Sequence, residues 1–595
     1  MKTRTRLVCS PAWLFAALGL SLALVGLPPA KTLLAQQVPV VERSLSNGMV
    51  LLLVERHDEP TVSGGWVAHV GSANEKPGIT GTAHLFEHMM FKGTPTIGTK
   101  DASRVLEIIA EQERLRDEMR VEEAKMRAAY RRGELDDLMK PETKTPRWRE
   151  LNDQFKKLID EQRQLLIKNE FDRIYTTAGA SGMNAFTSED ETAYFVTVPA
   201  NKLELWMWME SERLLRPVFR EFYAERDVVF EERRMRTEST PLGKFQEQFI
   251  SMFWQAHPYH WPVVGWPSDL VSISKPQADS FYATYYAPQN LTGILVGDFK
   301  ADEATALAEK YFGRIPRGTA SAPDVVTMEV KQEAEKRMDA EAETNPQVDI
   351  LWHTVAFGHK DAYPLQMLAR LLNGRTGRLY KGLVLGKQIA TEAGAQQDAR
   401  KWAGLFNVSA EAKEGHSPQE VEQGIYAELE RLQKEAVPPD ELQKVKNQFA
   451  AGEYRRLSSN TAILFQLMFS EGLGDWREVN TAGAKYQAVT ADDVQRVASA
   501  YFTRENRCVA VYTRKPGTGG ATEDPELAGL NSDQKGMVKQ MAARLAGEND
   551  LAKLRQSLGR MEQNAGQAPA EVKPALEVLK KKIQARIAEL EKSSK

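Results

Sequence analysis

The chain has 595 residues, 42% of them hydrophobic and 27% charged, with a formal net charge of −3. That length exceeds one ordinary domain and supplies two or three sizeable cores. So small a net charge excludes a nucleic-acid partner held by bulk electrostatics.

The N-terminus reads "MKTRTRLVCSPAWLFAALGLSLALVGLPPAKTLLAQQ". A basic start (Lys2, Arg4, Arg6) precedes an apolar run from Trp13 to Leu27, then Pro28, Pro29 and small residues. This is the pattern of a secretory signal peptide over 1–35, cleaved after Ala35, and it predicts an exported, periplasmic protein. Left uncleaved it would be a membrane anchor, although the run is shorter than a span of about 20 residues. No later segment is apolar for long enough to cross a bilayer. Cys9 precedes the apolar run, badly placed for lipid attachment. Without it Cys508 is alone, which excludes an internal disulfide. Cys508 sits in "RCVAVYT", a buried-strand pattern, and reads as a small core residue.

In the mature chain Asn47-Gly48 is a hairpin signal, and the flanks predict strands over 49–55 and 62–70. Next comes "TAHLFEHMMFKGT", Thr82 to Thr94. On a helix His84 and His88, four apart, lie on one face, and Glu87 lies on nearly the same face. Two imidazoles suit zinc, and a catalytic zinc takes three protein ligands and leaves a position for water. The carboxylate beside them suits a general base. Histidine is scarce, 9 in 595, so a chance H-x-x-E-H is improbable. His69, His257, His260 and His353 are scattered and read as polar core or cleft residues. Gly93 is a natural helix stop.

From Asp101 to about Phe171 helix formers and mixed charge dominate, broken by "GELDDLMKPETKTP". This predicts a helical hairpin projecting from the body, with a solvated face and an apolar seam that seals the hairpin or grips a partner. "MNAFTSEDETAYFVTVP" predicts a strand, and a helix-rich stretch follows to about Thr240. Within it "EFYAERDVVFEERRMRTE" places Glu225 and Glu232 seven apart, two turns on one face. Val228 and Val229 between them could bury that helix against the first. One glutamate could be the third ligand while the other orients a histidine. Spacing alone leaves a solvated acidic face equally open.

A helix–strand unit then recurs. "SISKPQADSFYATYYAPQNLTGILVGDF" matches "TADDVQRVASAYFTRENRCVAVYT", with Tyr285-Tyr286 against Tyr501-Phe502 and Asn290 against Asn506, an offset of 216 residues. The repeat predicts an α+β fold of two duplicated α/β-sandwich domains, 36–300 and 301–515, with mixed or antiparallel sheets. Residues 516–595 read as a linker and a helical tail.

Taken in order, "GITGTAHLFEHMMFKGT", "GMNAFTSEDETAYFVTV", "ERDVVFEE" and "YYAPQNLTGILVGDF" resemble the pitrilysin/insulinase family of zinc metallopeptidases across most of residues 40–515. The resemblance implies His84, His88 and Glu232 as ligands of one Zn2+ per chain, Glu87 as general base and Glu225 as supporting carboxylate. It implies that Asn184, Ala185, Phe186 and Thr187 form an edge strand that aligns an extended peptide. Two departures stand out. His88 to Glu232 spans 144 residues, about twice the family interval, and the charged hairpin accounts for the excess. The family's Arg–Tyr pair, which helps hold the developing oxyanion, is matched by Val384 and Thr391 in "LLNGRTGRLYKGLVLGKQIATEAGA", while Arg378 and Tyr380 match a structural stretch. The implied resolution is a heterodimer whose partner subunit supplies that pair, with a homodimer as the alternative. The rival expectation is a non-catalytic scaffold or peptide-holding subunit of the same fold.

Overall fold

The Asn47-Gly48 signal forms a tight turn: Gly48 N donates to Leu45 O (2.9 Å) and Gly48 has φ +92°. The computed structural model describes residues 37–516, the helices Leu551–Ala565 and Lys573–Ser593, and scattered positions between 527 and 550. The signal-peptide reading of 1–35, Cys9 and most of the linker lie outside the described residues.

The turn joins β1 (Val41–Ser44) to β2 (Val50–Glu55), and β3 (Thr61–Ala68) follows. β4 (Ser181–Thr187), β5 (Thr192–Pro199) and β6 (Leu291–Gly297) complete a mixed sheet of order β1-β2-β6-β3-β5-β4. Only β2–β6 is a parallel pair among these ladders. The single strand expected from Met183 to Pro199 is two antiparallel strands. Ser188-Glu189-Asp190 turns the chain, and Ser188 N donates to Glu191 O (2.8 Å). Ser and Asp stabilise such turns with their own side chains.

The second sheet has β7 (Lys336–Ala342), β8 (Gln347–Thr354), β9 (Ala390–Ala399), β10 (Gly404–Ala412) and β11 (Arg507–Arg514) in the order β7-β11-β8-β10-β9. Leaving out β1, the two sheets have the same order. The repeat extends to side chains. Asn290 Nδ2 donates to the Tyr285 and His69 carbonyls (2.8 and 3.3 Å), and Asn506 Nδ2 donates to those of Tyr501 and His353 (2.8 and 2.9 Å). Cys508 is wholly buried in β11, and burial pushes its thiol up to about 12.

The first six α-helices among the described residues are α1 (Thr82–Met89), α2 (Ala102–Arg131), α3 (Pro146–Leu165), α4 (Glu170–Thr177), α5 (Leu203–Leu215) and α6 (Phe222–Arg233). α2 and α3 form the expected hairpin. Asp101 caps Arg104 N (3.0 Å), Thr145 caps Trp148 N (3.1 Å), and Pro146 opens α3 where its missing N–H costs nothing. The hairpin does not project freely. Leu115, Met119, Leu151 and Phe155 belong to the core of the first half, and Phe155 meets the ring of Tyr223 edge-on at 5.4 Å.

The first sheet and most of the second lie in one compact unit, which runs to Tyr512 apart from Glu341–Asn345. Within it the helix Asn460–Leu473 lays Ile463, Leu464, Leu467 and Met468 on Val67 and Ile294 of the first sheet. Glu341–Asn345 and the chain from Thr513 onward form a second unit. There two tail helices are linked by Arg555–Glu591 (2.7 Å) and Lys580–Glu562 (3.1 Å). Among the described residues no helix is long and apolar enough to cross a membrane.

Candidate metal centre

α1 starts at Gly81, whose φ of +91° and close neighbour (Val264 O, 2.6 Å from an added Cβ) admit only glycine without strain. Glycine has no side chain to cap the helix, and Glu75 takes that role. Its carboxylate accepts from Gly81 N (2.8 Å) and Ala83 N (2.7 Å). Burial pushes the Glu75 carboxyl well above the usual carboxylate range, and the bonds from Ala83 N and Gly81 N oppose that shift. Leu85, Phe86 and Met89 are buried in the core, which turns His84, Glu87 and His88 toward the open side. The helix ends at Met89, four residues before the expected stop at Gly93.

α6 packs against α1 through Val229, which is fully buried. Val228, expected to bury with it, is 50% exposed. Adjacent residues on a helix differ by about 100° in direction, so one of the pair must leave the interface.

The two helices bring three donor atoms together. His84 Nε2 lies 3.7 Å and His88 Nε2 3.4 Å from Glu232 Oε2. Ligands of a tetrahedral zinc, at about 2.0–2.2 Å from the metal, sit about 3.3–3.6 Å from one another. One donor atom from each residue lies within 4.8 Å of the others, and among the described residues this is the one cluster of its kind. Burial, with the charges of His88 and Arg236 beside it, depresses His84 to about 3. Its imidazole is therefore neutral and able to donate a lone pair. The donor set and spacing fit a zinc ion.

Around the donors, each group is held in place. Burial opposes a charge on His88, but the hydrogen bond to Glu225 (Nδ1 to Oε1, 3.1 Å) and nearby carboxylates outweigh it and raise its pKa. Glu225 Oε2 pairs with Lys92 Nζ at 2.5 Å. Burial pushes Glu225 up, while His88 and Lys92 more than offset it, leaving the pKa below the usual carboxylate range. Glu232 Oε1 pairs with Arg236 at 2.8 Å. Glu87 does not join the donors. Its Oε2 accepts from Thr187 Oγ1 at 2.7 Å, and burial raises its pKa despite that bond.

Thr187 ends β4, an edge strand of the first sheet. Asn184 on the same strand lines a pocket with Glu87 and His88, Ala185 is buried, and Phe186 stacks on Phe469 at 5.0 Å. His69 and His353 occupy equivalent places at the ends of β3 and β8, and His257 and His260 lie in a turn after Trp254. None of these four joins the donor cluster. Val384 packs on the second core, Thr391 donates to Glu411 (2.8 Å), and Arg378 is held by Glu441 (2.7 Å).

Three contributors escaped the sequence reading. Lys92 lies four residues after His88, a spacing that could have suggested it. Ile159 and Arg163 of α3 line the cleft of about 720 Å3 over Glu87, His88 and Glu232. Nothing in their local sequence points there.

The pattern described as Insulinase (Peptidase family M16) matches residues 50–137, and that described as Peptidase M16 inactive domain matches 272–449. The chain is similar to a zinc protease, PqqE, of Helicobacter pylori, 28% identical over 356 residues, covering 58% of this chain and 79% of that one. Its fold is like that of a protease from Helicobacter pylori (TM-score 0.65, 23% identity, 80% of this chain and all of the other). It is also like the periplasmic protease PqqL from Escherichia coli (TM-score 0.60, 17% identity), covering 81% of this chain and 48% of that longer one.

Proposed function

The chain belongs to the insulinase (M16) family of peptidases, and from that premise we propose that it is a zinc metalloendopeptidase subunit cleaving extended peptides or unfolded segments. The observation that carries this reading is the convergence of His84 Nε2, His88 Nε2 and Glu232 Oε2 next to Glu87 and an open strand edge.

A zinc ion held by His84, His88 and Glu232 would supply Lewis acidity toward a peptide carbonyl and a nearby water. Glu87 is placed to take a proton from the attacking water and to return it to the leaving amine. Glu225 fixes the His88 ring through Nδ1, and Lys92 fixes Glu225. The Asn184–Thr187 edge binds substrate backbone by strand addition, with little regard to sequence. Glu87 and Thr187 then bring the base and the peptide into register.

Neither Val384 nor Thr391 can stabilise an oxyanion, and Arg378 is committed to Glu441. The reading therefore includes a homologous partner subunit that supplies an Arg–Tyr pair, with a homodimer as the lesser alternative. Export to the periplasm accords with the N-terminal sequence and with the similar fold of periplasmic PqqL. A non-catalytic scaffold is the second reading, favoured by the inactive-domain pattern. That pattern covers 272–449, whereas the donor cluster lies wholly before it.

Elemental mass spectrometry of the full chain beside His88→Ala and Glu232→Gln tests the reading. About one zinc per chain, lost in both variants, is expected. A wild-type chain that takes up no zinc when it is supplied leaves the scaffold standing.

A further inference from the structure

A second cavity has no part in the donor cluster. It lies between the inserted hairpin and the side of α6 facing away from α1, and has a volume of about 820 Å3. That is the size range of sites for small organic ligands. Met119, Met126, Trp148, Phe155, Tyr223 and Val271 wall it. Tyr130 and Met139, 48% and 46% exposed, also line it and give it an apolar mouth.

One wall carries a cation without an adequate counter-charge. Arg226 is 8% exposed. Its Nη1 donates to Ile273 O at 3.3 Å, its guanidinium lies over the Tyr223 ring at 5.1 Å, its Nε has no partner, and its ion pair with Asp227 is long at 3.9 Å. The Asp227 side chain is itself 75% exposed. The other buried arginines among the described residues are better matched. Arg213 is held by Glu210, Arg233 by both oxygens of Glu247, and Arg116 by Glu123 at 3.2 Å. Arg220 donates to the carbonyls of Lys92, Thr94 and Ile97. Burial, and then the like charge of Arg116 on the same cavity wall, lower Arg226 to about 10.

A buried cation short of partners is costly, and an anion placed beside it removes that cost. The apolar walls demand that the anion carry an apolar body. The lining sets Glu123, Asp136, Asp137 and Asp227 against Arg116, Arg127, Lys144, Lys156 and Arg226, a near balance that suits one negative charge better than several. We propose that this cavity binds a small monocarboxylate with an apolar body, the size of a medium-chain fatty acid, with its head on Arg226 and its body along Met119, Met126 and Trp148.

Isothermal titration of the full chain with decanoate, decanol and acetate tests this without reference to peptidase activity. Decanoate should bind saturably at one per chain below its self-association concentration. Decanol, which lacks the charge, should bind at least about tenfold more weakly, and acetate, which lacks the body, should not bind measurably. Arg226→Gln should weaken decanoate at least about tenfold and leave decanol unchanged. Val271→Trp, which pushes an indole in from the wall, should weaken binding of both at least about tenfold.

Equal affinities for decanoate and decanol, or unchanged decanoate binding in Arg226→Gln, overturn the proposal. So does a wild-type chain that shows no saturable decanoate binding. If Arg226→Gln fails to fold by circular dichroism, Val271→Trp decides alone, and unweakened decanoate binding there overturns the site.

Discussion

Thr187 Oγ1 donates a 2.7 Å hydrogen bond to Glu87 Oε2, joining residues 100 positions apart and two different kinds of element. One is the acid of a helix that carries two donor atoms. The other is the last residue of an edge strand. In the proposed reaction the base therefore takes its position from the strand that binds the peptide.

Thr187→Val keeps the shape and the β propensity and removes only that bond. Glu87 then loses its orientation while the donor cluster remains. We expect kcat to fall about tenfold, with KM and zinc content little changed. Steady-state kinetics on a fluorogenic peptide, beside zinc analysis, checks this. A variant that loses zinc would instead make Thr187 part of the support of the metal helix.

Glu225→Gln replaces the acceptor of His88 Nδ1 with an amide and strips Lys92 of its 2.5 Å partner. Zinc affinity should fall about 10- to 100-fold, the usual effect of losing a group that orients a ligand. Competition against a chelator of known affinity measures it. An unchanged affinity would mean that packing alone orients the ring.

Asn290 and Asn506 make matching bonds in the two halves of the duplication. Each Asn→Ala substitution removes two hydrogen bonds to backbone carbonyls. Each should cost about 1–3 kcal/mol, and the two costs should be alike. Urea unfolding followed by tryptophan fluorescence tests this equality.

Asp349, on β8, is pushed up to about 6 by burial, with no charged partner offsetting it. The folded chain thus holds this proton more tightly than the unfolded chain does. Folding stability from this group is full below about pH 4 and is lost as pH rises through about 6. Asp349→Asn should remove that slope and stabilise the protein at pH 7 by about 1–2 kcal/mol, allowing for partial exposure of the side chain. Melting temperatures from pH 4 to 8 should converge for the two proteins at the acid end and separate at neutral pH.

The donor helix was legible because its information is local. His84, Glu87 and His88 are fixed on one face by helical periodicity, and so are Glu225 and Glu232. The duplication was legible because an aromatic pair, an Asn and an apolar strand recur at one offset. The turn at Ser188–Glu191 was missed because the apolar pattern runs through it from both sides. Val228 departs from the valine-pair pattern because two neighbouring valines cannot both face one helix partner. The hairpin was recognised as helical, but its docking was not, because a mixed-charge surface conceals the seam of Leu115, Met119, Leu151 and Phe155.

By itself the sequence determined which side chains lie one helical turn apart, where the chain repeats and what chemistry its donors suit. These follow from a fixed rise and twist per residue. The tertiary structure decided which atoms meet across 100 residues or more: Glu232 with the two histidines, and Thr187 with Glu87. Those contacts depend on how buried faces pack against one another, and no local periodicity encodes that.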